Sequence, residues 1–225
     1  LASLHPETLE SVPTPGCLWE TIVTYPPEQE DQDEKPEPTI SYRLTAQPYF
    51  DALSEYPELS RLVEPRVLQV LRQEANNIVH WTSWPEQQHY DSQSWHVFPL
   101  LYCFPGNNVK CRKMVDATVH MCPNTVALLH DILGDKLRTA LFSRMQPESV
   151  LQAHTGWADL ANHVLRLHVP IDIPELCGTW VDGCVEYHDT TNNLLIFDDS
   201  KIHRAFNYSQ RPRVVLIVDV ERPSD

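Results

Sequence analysis

The sequence predicts a mainly β protein, a double-sheet jelly roll with flanking helices packed on one face. Three observations lead there. The first half holds two stretches with helical periodicity. From Lys136 onward the text turns to short, β-branched or alternating segments divided by polar turns. No segment repeats. Helices first and strands later point to an antiparallel β core with helices on one side, and closed double-sheet jelly rolls satisfy that description.

The elements follow in chain order. Residues 1 to about 25 mix Pro, Thr and small apolar patches and read as a surface arm. PPEQEDQDEKPEP, Pro26 to Pro38, carries six acids and one Lys and reads as a Pro-rich linker. The expected division is therefore an arm and linker over 1–40 and one domain over 41–225. Pro65 suits the first position of a helix, and Val67, Leu68, Val70, Leu71, Ala75 and Ile78 recur behind it at helical spacing. Trp81, Trp84 and Trp95 either line a substrate groove or pack in the core. SWHVFPLLYCF reads as a strand. NTVALLHDIL reads as a second helix, capped by Asn124 and stopped at Gly134. KLRTALFSRM, HVLRLHVPI, NNLLIFDD and PRVVLIVDV read as strands, with a polar loop between the second and third.

Composition narrows the functions. A chain of 225 residues that is 42% hydrophobic can bury a sizeable core. A net charge of −14 argues against a nucleic-acid binder and against docking on an anionic membrane. It leaves room for a cationic or neutral substrate. No apolar run is long enough to span a bilayer, so no membrane insertion is expected. The chain begins at Leu1 without a signal peptide and reads as a trimmed soluble domain. The lumenal part of a membrane-anchored protein is one reading, and the compartment stays open. None of the six Cys forms a CxxC pair, which argues against structural zinc. Cys111–Cys122 and Cys177–Cys184 are local disulfide candidates, against the alternative of buried free thiols.

Strand alternation singles out three residues, Arg166, His168 and Arg213. In HVLRLHV, Val164, Arg166 and His168 share one face, while Leu165, Leu167 and Val169 form a wholly apolar one. In PRVVLIVDV, Val214, Leu216, Val218 and Val220 form the apolar face, and Arg213 shares the other with Val215 and Ile217. Two arginines entering a β core suggest a bound carboxylate, which a guanidinium fork matches. Salt bridges to Asp198, Asp199 or Asp219 are the alternative. His154 and His203 come from different strand ends, and neutral imidazoles there suit Fe, Zn or Cu. The other histidines, His5, His80, His89, His96, His120, His130, His163 and His188, read as surface or hydrogen-bonded core residues.

Taken together, FSRMQPESVLQAHTG, RLHVPI, LIFDDSKIHRAFN and RVVLIVDVERP, in that order, resemble the aspartyl/asparaginyl β-hydroxylase family over residues 95 to 222. The first 90 residues match it only loosely. The resemblance implies a double-stranded β-helix (cupin-like) dioxygenase that uses Fe(II), 2-oxoglutarate and O2. It implies that His154 and His203 hold the iron, and that Arg213 with Ser143 grips the distal carboxylate of 2-oxoglutarate. Arg166 and His168 would lie near its chelating end, and Asp199 and Ser200 would shape the turn into His203. The carboxylate that many iron oxygenases place two residues after the first histidine is Gly156 here, as in this family. Asp159 is a candidate third ligand, because the segment from His154 to His168 is about three residues longer than in the animal enzymes. Those enzymes also bind the acidic side chain of their substrate through an arginine where this chain has Val164. The function expected is hydroxylation of an amino-acid side chain of the Asp/Asn type in a protein or peptide. The alternatives are the same chemistry on a lipid acyl chain or free amino acid, and a non-catalytic metal-binding cupin module.

Overall fold

The computed structural model describes residues 19–24, 39–44, 48–84, 94–188 and 194–223. Two strands, β1 (Trp19–Thr24) and β2 (Thr39–Leu44), pair antiparallel as a separate hairpin. So part of the expected arm is a strand, and β2 crosses the expected domain boundary at residue 41. The acidic stretch between them lies outside the described residues.

The remaining strands build two sheets. They are β3 (Tyr49–Phe50), β4 (Thr82–Ser83), β5 (Trp95–Cys103), β6 (Arg112–Met114), β7 (Leu137–Met145), β8 (Ser149–Val150), β9 (Val164–Asp172), β10 (Cys177–Val181), β11 (Cys184–Tyr187), β12 (Leu195–Phe197), β13 (His203–Asn207) and β14 (Arg213–Glu221). The larger sheet runs β3-β12-β9-β14-β7-β5-β4, with β6 on β5; the smaller runs β11-β10-β13-β8. All the pairings are antiparallel. The five strands read from sequence all fall in the larger sheet. The smaller sheet is assembled from stretches read as polar loop or turn. Its β10, CGTWV, carries no alternation because all five residues are buried.

The larger sheet is two-faced, as alternation requires. Leu165, Leu167 and Val169 of β9 and Leu216, Val218 and Val220 of β14 pack in one apolar cluster with the helices. Helix α1 is the short Ala52–Glu55; α2 (Pro65–Asn76) contributes Leu68 and Leu71, and α3 (Pro123–Leu133) contributes Val126, Leu129 and Ile132. Each fully buried Leu or Val there is worth about 1.5–3 kcal/mol. The opposite face, with Arg166, His168, Arg213 and Ile217, looks onto the space beneath the smaller sheet and lines a cavity.

At α3 the expected cap changes while the expected stop holds, and the cysteines take one of their two alternatives. Asn124 does not cap α3 with its side chain. Instead the buried Glu74 carboxylate of α2 accepts from Asn124 N at 3.0 Å and Thr125 N at 2.7 Å, which satisfies two donors at the helix start and ties the helices together. Gly134 does end α3, with φ +52° and its N–H on the His130 carbonyl. The five described cysteines are free thiols. The β10–β11 hairpin sets Cys184 opposite Val181, which leaves Cys177 at the far end. Cys122 is wholly buried in the main core, whereas Cys111 is partly exposed on the turn before β6. Cys17 lies outside the described residues.

Candidate active site

His154 precedes the short helix α4 (Ala158–Ala161), and His203 opens β13. Their backbones pair directly, each N–H donating to the other's carbonyl at 3.0 and 2.9 Å. This bridge brings residues 49 positions apart into one place, with ring centroids 4.5 Å apart. His154 Nδ1 donates to the Gln152 carbonyl and His203 Nδ1 to the Lys201 carbonyl, both at 2.8 Å. A carbonyl only accepts, so both protons are on Nδ1 and both lone pairs on Nε2. Such orientation by a second hydrogen bond suits a pair of metal-binding imidazoles.

A carboxylate stands beside them, but it is Asp199. Its Oδ1 is 3.3 Å from His203 Nε2 and 2.6 Å from Arg166 Nη1. A Cβ added to Gly156 would come within 1.9 Å of Asp199 Oδ2. Asp199 thus fills the volume that a side chain two residues after His154 would need. Sequence reasoning gave Asp199 a turn-shaping role and a place among the candidate salt-bridge partners, but not a place beside the histidines; its four-residue spacing from His203 was the available clue. Asp159 is exposed and lines neither cavity of the site; its carbonyl accepts from Gly106 N at 2.7 Å. The turn is shaped by Asp198, which is gripped by Arg222 at 2.6 Å and accepts from Ser200 Oγ at 2.6 Å. Burial opposes ionisation of Asp198, but Arg222 and Ser200 hold its pKa below the ordinary carboxylate value.

Gly156→Ala tests this packing. The new methyl must push the Asp199 carboxylate aside, so overpacking of about 1–3 kcal/mol is expected. Thermal denaturation should show a lower Tm, and a titration should show weaker binding of Fe(II). An unchanged Tm would contradict the close approach.

The two arginines part company. Arg166 takes the salt-bridge alternative: Nη1 pairs with Asp199, and Nε donates to Asp219 Oδ1 at 2.8 Å. Burial pushes both carboxyls up, and Arg166 counters it in each. The trio stands beside the two imidazoles, and among the described residues no group of three or more His, Cys, Asp or Glu comes together as a metal-holding cluster. Arg213 is 1% exposed and, among the described residues, makes no ion pair. Its Nη2 donates to His168 Nδ1 at 3.1 Å and His188 Nε2 at 2.7 Å, and its Nη1 to Met145 Sδ at 3.3 Å. Burial pushes its pKa down to about 10, so it stays charged at neutral pH. Burial first, and then Arg213, hold His168 and His188 well below the usual histidine value. An unpaired buried guanidinium calls for an anion. The two imidazoles and the buried guanidinium thus line one cavity, and their chemistry suits a metal cation and an anion.

Ser143 lies on β7 at the wall of the same cavity, where its Oγ accepts from Trp95 Nε1 at 2.9 Å. His154 and Arg166 also border a second, apolar groove of about 380 Å³, walled by Trp84, Trp95, Leu101, Phe104, Trp157 and Leu160. Trp84 stacks between Trp95 and Trp157, with centroids at 5.1 and 5.8 Å. Trp81 does not reach the groove; it packs against the main core and meets Phe98 edge-on at 6.4 Å. Val164 is fully buried and offers no charge.

The family model Aspartyl/Asparaginyl beta-hydroxylase matches residues 66–223, reaching back through α2. The ornithine lipid ester-linked acyl 2-hydroxylase of Rhizobium tropici is 39% identical over 132 residues, covering 57% of this chain. The chain spans only 42% of that relative's length. The crystal structure of a 2OG-Fe(II) oxygenase family oxidoreductase from Burkholderia pseudomallei matches with a TM-score of 0.54 at 12% identity, covering 76% of this chain and 88% of that one. That likeness shows the jelly-roll fold. The match over most of the chain makes it a member of the aspartyl/asparaginyl β-hydroxylase family.

Proposed function

We propose that this protein is an Fe(II)- and 2-oxoglutarate-dependent hydroxylase whose substrate presents an apolar chain, of the acyl type, to the iron. The observation that carries the cosubstrate is Arg213, a buried cation held by hydrogen bonds alone in the cavity that the two histidines share. His154 and His203 would hold the iron through Nε2, with Asp199 beside them. Arg213 would receive the distal carboxylate, with Ser143 and His168 on the same wall. Bound Fe(II), with O2 and 2-oxoglutarate, supplies C–H hydroxylation coupled to oxidative decarboxylation to succinate and CO2. The chain's own work is to hold the cosubstrate, keep both imidazoles in one tautomer and exclude water. No side chain is needed as a general base.

The apolar groove supports the acyl reading, and the acyl hydroxylase relative agrees with it. An Asp or Asn side chain has less to bind to. The groove's one guanidinium, Arg166, is engaged by Asp199 and Asp219, and the position of the family's substrate arginine is Val164. The test is direct. Purified protein with Fe(II), ascorbate and O2 should convert 2-oxoglutarate to succinate. Mass spectrometry should find a product heavier by one oxygen with acyl lipids and not with Asp- or Asn-containing peptides. Trp157→Ala, at the groove wall, should raise the KM for the acyl substrate roughly tenfold or more through lost apolar contact. Hydroxylated peptide without hydroxylated lipid would overturn the acyl reading.

A further inference from the structure

His188 has no part in the family motifs, yet it touches the key arginine. It follows β11, its backbone N–H donates to the Cys177 carbonyl at 2.8 Å, and its side chain is 4% exposed. Its ring lies parallel to His168, 5.6 Å away at 16°. A guanidinium only donates, so His188 Nε2 is the acceptor and the ring is neutral with its proton on Nδ1. His188 does not line the cavity, so it acts behind Arg213 rather than on the cosubstrate.

We infer that His188 is a positioning residue for Arg213, fixing the guanidinium fork by a neutral hydrogen bond so that its positive charge stays available to a ligand carboxylate. The inference rests on the function proposed above. A carboxylate at this place would orient the fork equally well, but it would neutralise the charge and compete with the ligand. Two imidazoles, His188 and His168, bracket Nη2 and use up its hydrogens. That leaves the hydrogens on Nε and Nη1, which lie on different sides of the guanidinium, to make single hydrogen bonds to an incoming carboxylate. Nη1 meets only the thioether of Met145, a weak acceptor, and Nε has no hydrogen-bond partner among the described residues.

Three variants test this in the Fe(II)-loaded protein under nitrogen. Binding of 2-oxoglutarate is read by calorimetry, and the cosubstrate-induced rise in Tm is read by thermal denaturation. His188→Gln keeps a neutral acceptor and should bind within about threefold of wild type. His188→Leu removes the acceptor and should bind about tenfold more weakly. His188→Glu should bind at least about a hundredfold more weakly and lose the cosubstrate-induced Tm rise, while its own Tm does not fall. A merely structural histidine predicts the opposite for the last variant, a lower Tm with the Tm rise retained. Equal affinity of the Gln and Leu variants would overturn the inference whether or not the Glu variant folds. Failure of the wild-type protein to bind 2-oxoglutarate would instead overturn the proposed function, and this inference with it.

Discussion

Arg213→Ala should weaken 2-oxoglutarate binding by about 2–5 kcal/mol, because the ligand's carboxylate would then be buried without its charged partner. That is a factor of roughly thirty to several thousand in Kd. Stability should respond differently. Breaking a buried ion pair costs about 3–5 kcal/mol, but Arg213 makes no such pair among the described residues. Removing it takes away a desolvated charge and two hydrogen bonds to imidazoles, effects of opposite sign. The Tm without cosubstrate should therefore move little. Arg213→Lys keeps the charge but not the fork and should fall between wild type and Ala. Calorimetric titration of the iron-loaded protein reads all three. An Ala variant with wild-type affinity would show that the carboxylate goes elsewhere.

His203→Ala should abolish Fe(II) binding and succinate formation. Its ring is held by Nδ1 donating to the Lys201 carbonyl, with Nε2 facing Asp199 Oδ1 at 3.3 Å. Its backbone bridge to His154 does not depend on the side chain and should survive the substitution. The loss should thus be specific to the metal rather than a loss of fold. A drop of more than about a hundredfold in turnover is expected, beyond the 10–100-fold typical of losing a residue that only orients a ligand. Asp199→Asn should fall within that smaller range. An anaerobic Fe(II) titration separates the two variants. Succinate production at the wild-type rate in His203→Ala would remove His203 from the iron.

The five long or central strands of the larger sheet were legible in the sequence, and β9 and β14 most of all because they are amphipathic in the simplest way; the short β3, β4 and β6 were not. In β9 and β14 every second residue packs under the helices, so the alternation of Leu and Val with Arg166, His168 and Arg213 is written into the text. The smaller sheet was not legible. Its strands are short, β10 is buried throughout, and β11 is partly exposed, so neither shows a period of two. Trp81 and Trp84 stand three residues apart, yet one packs in the main core and the other walls the groove. Nothing in their spacing decides that, because β4 between them is only two residues long.

For the site, the sequence by itself determined the strand faces, the two arginines as alternatives between ligand and salt bridge, and the candidate histidines. Only the tertiary structure decided among them. Arg166 meets two carboxylates because antiparallel pairing of β9 with β14 sets it opposite Asp219 and the turn after β12 delivers Asp199. Arg213 meets two imidazoles instead, one from its neighbour β9 and one arriving from the end of β11. Asp199 takes the place of a side chain at Gly156 because the backbones of the two loops hydrogen-bond at 2.9 Å. Each of these is a contact between segments distant in the chain, and pairwise geometry of that kind leaves no trace in local periodicity.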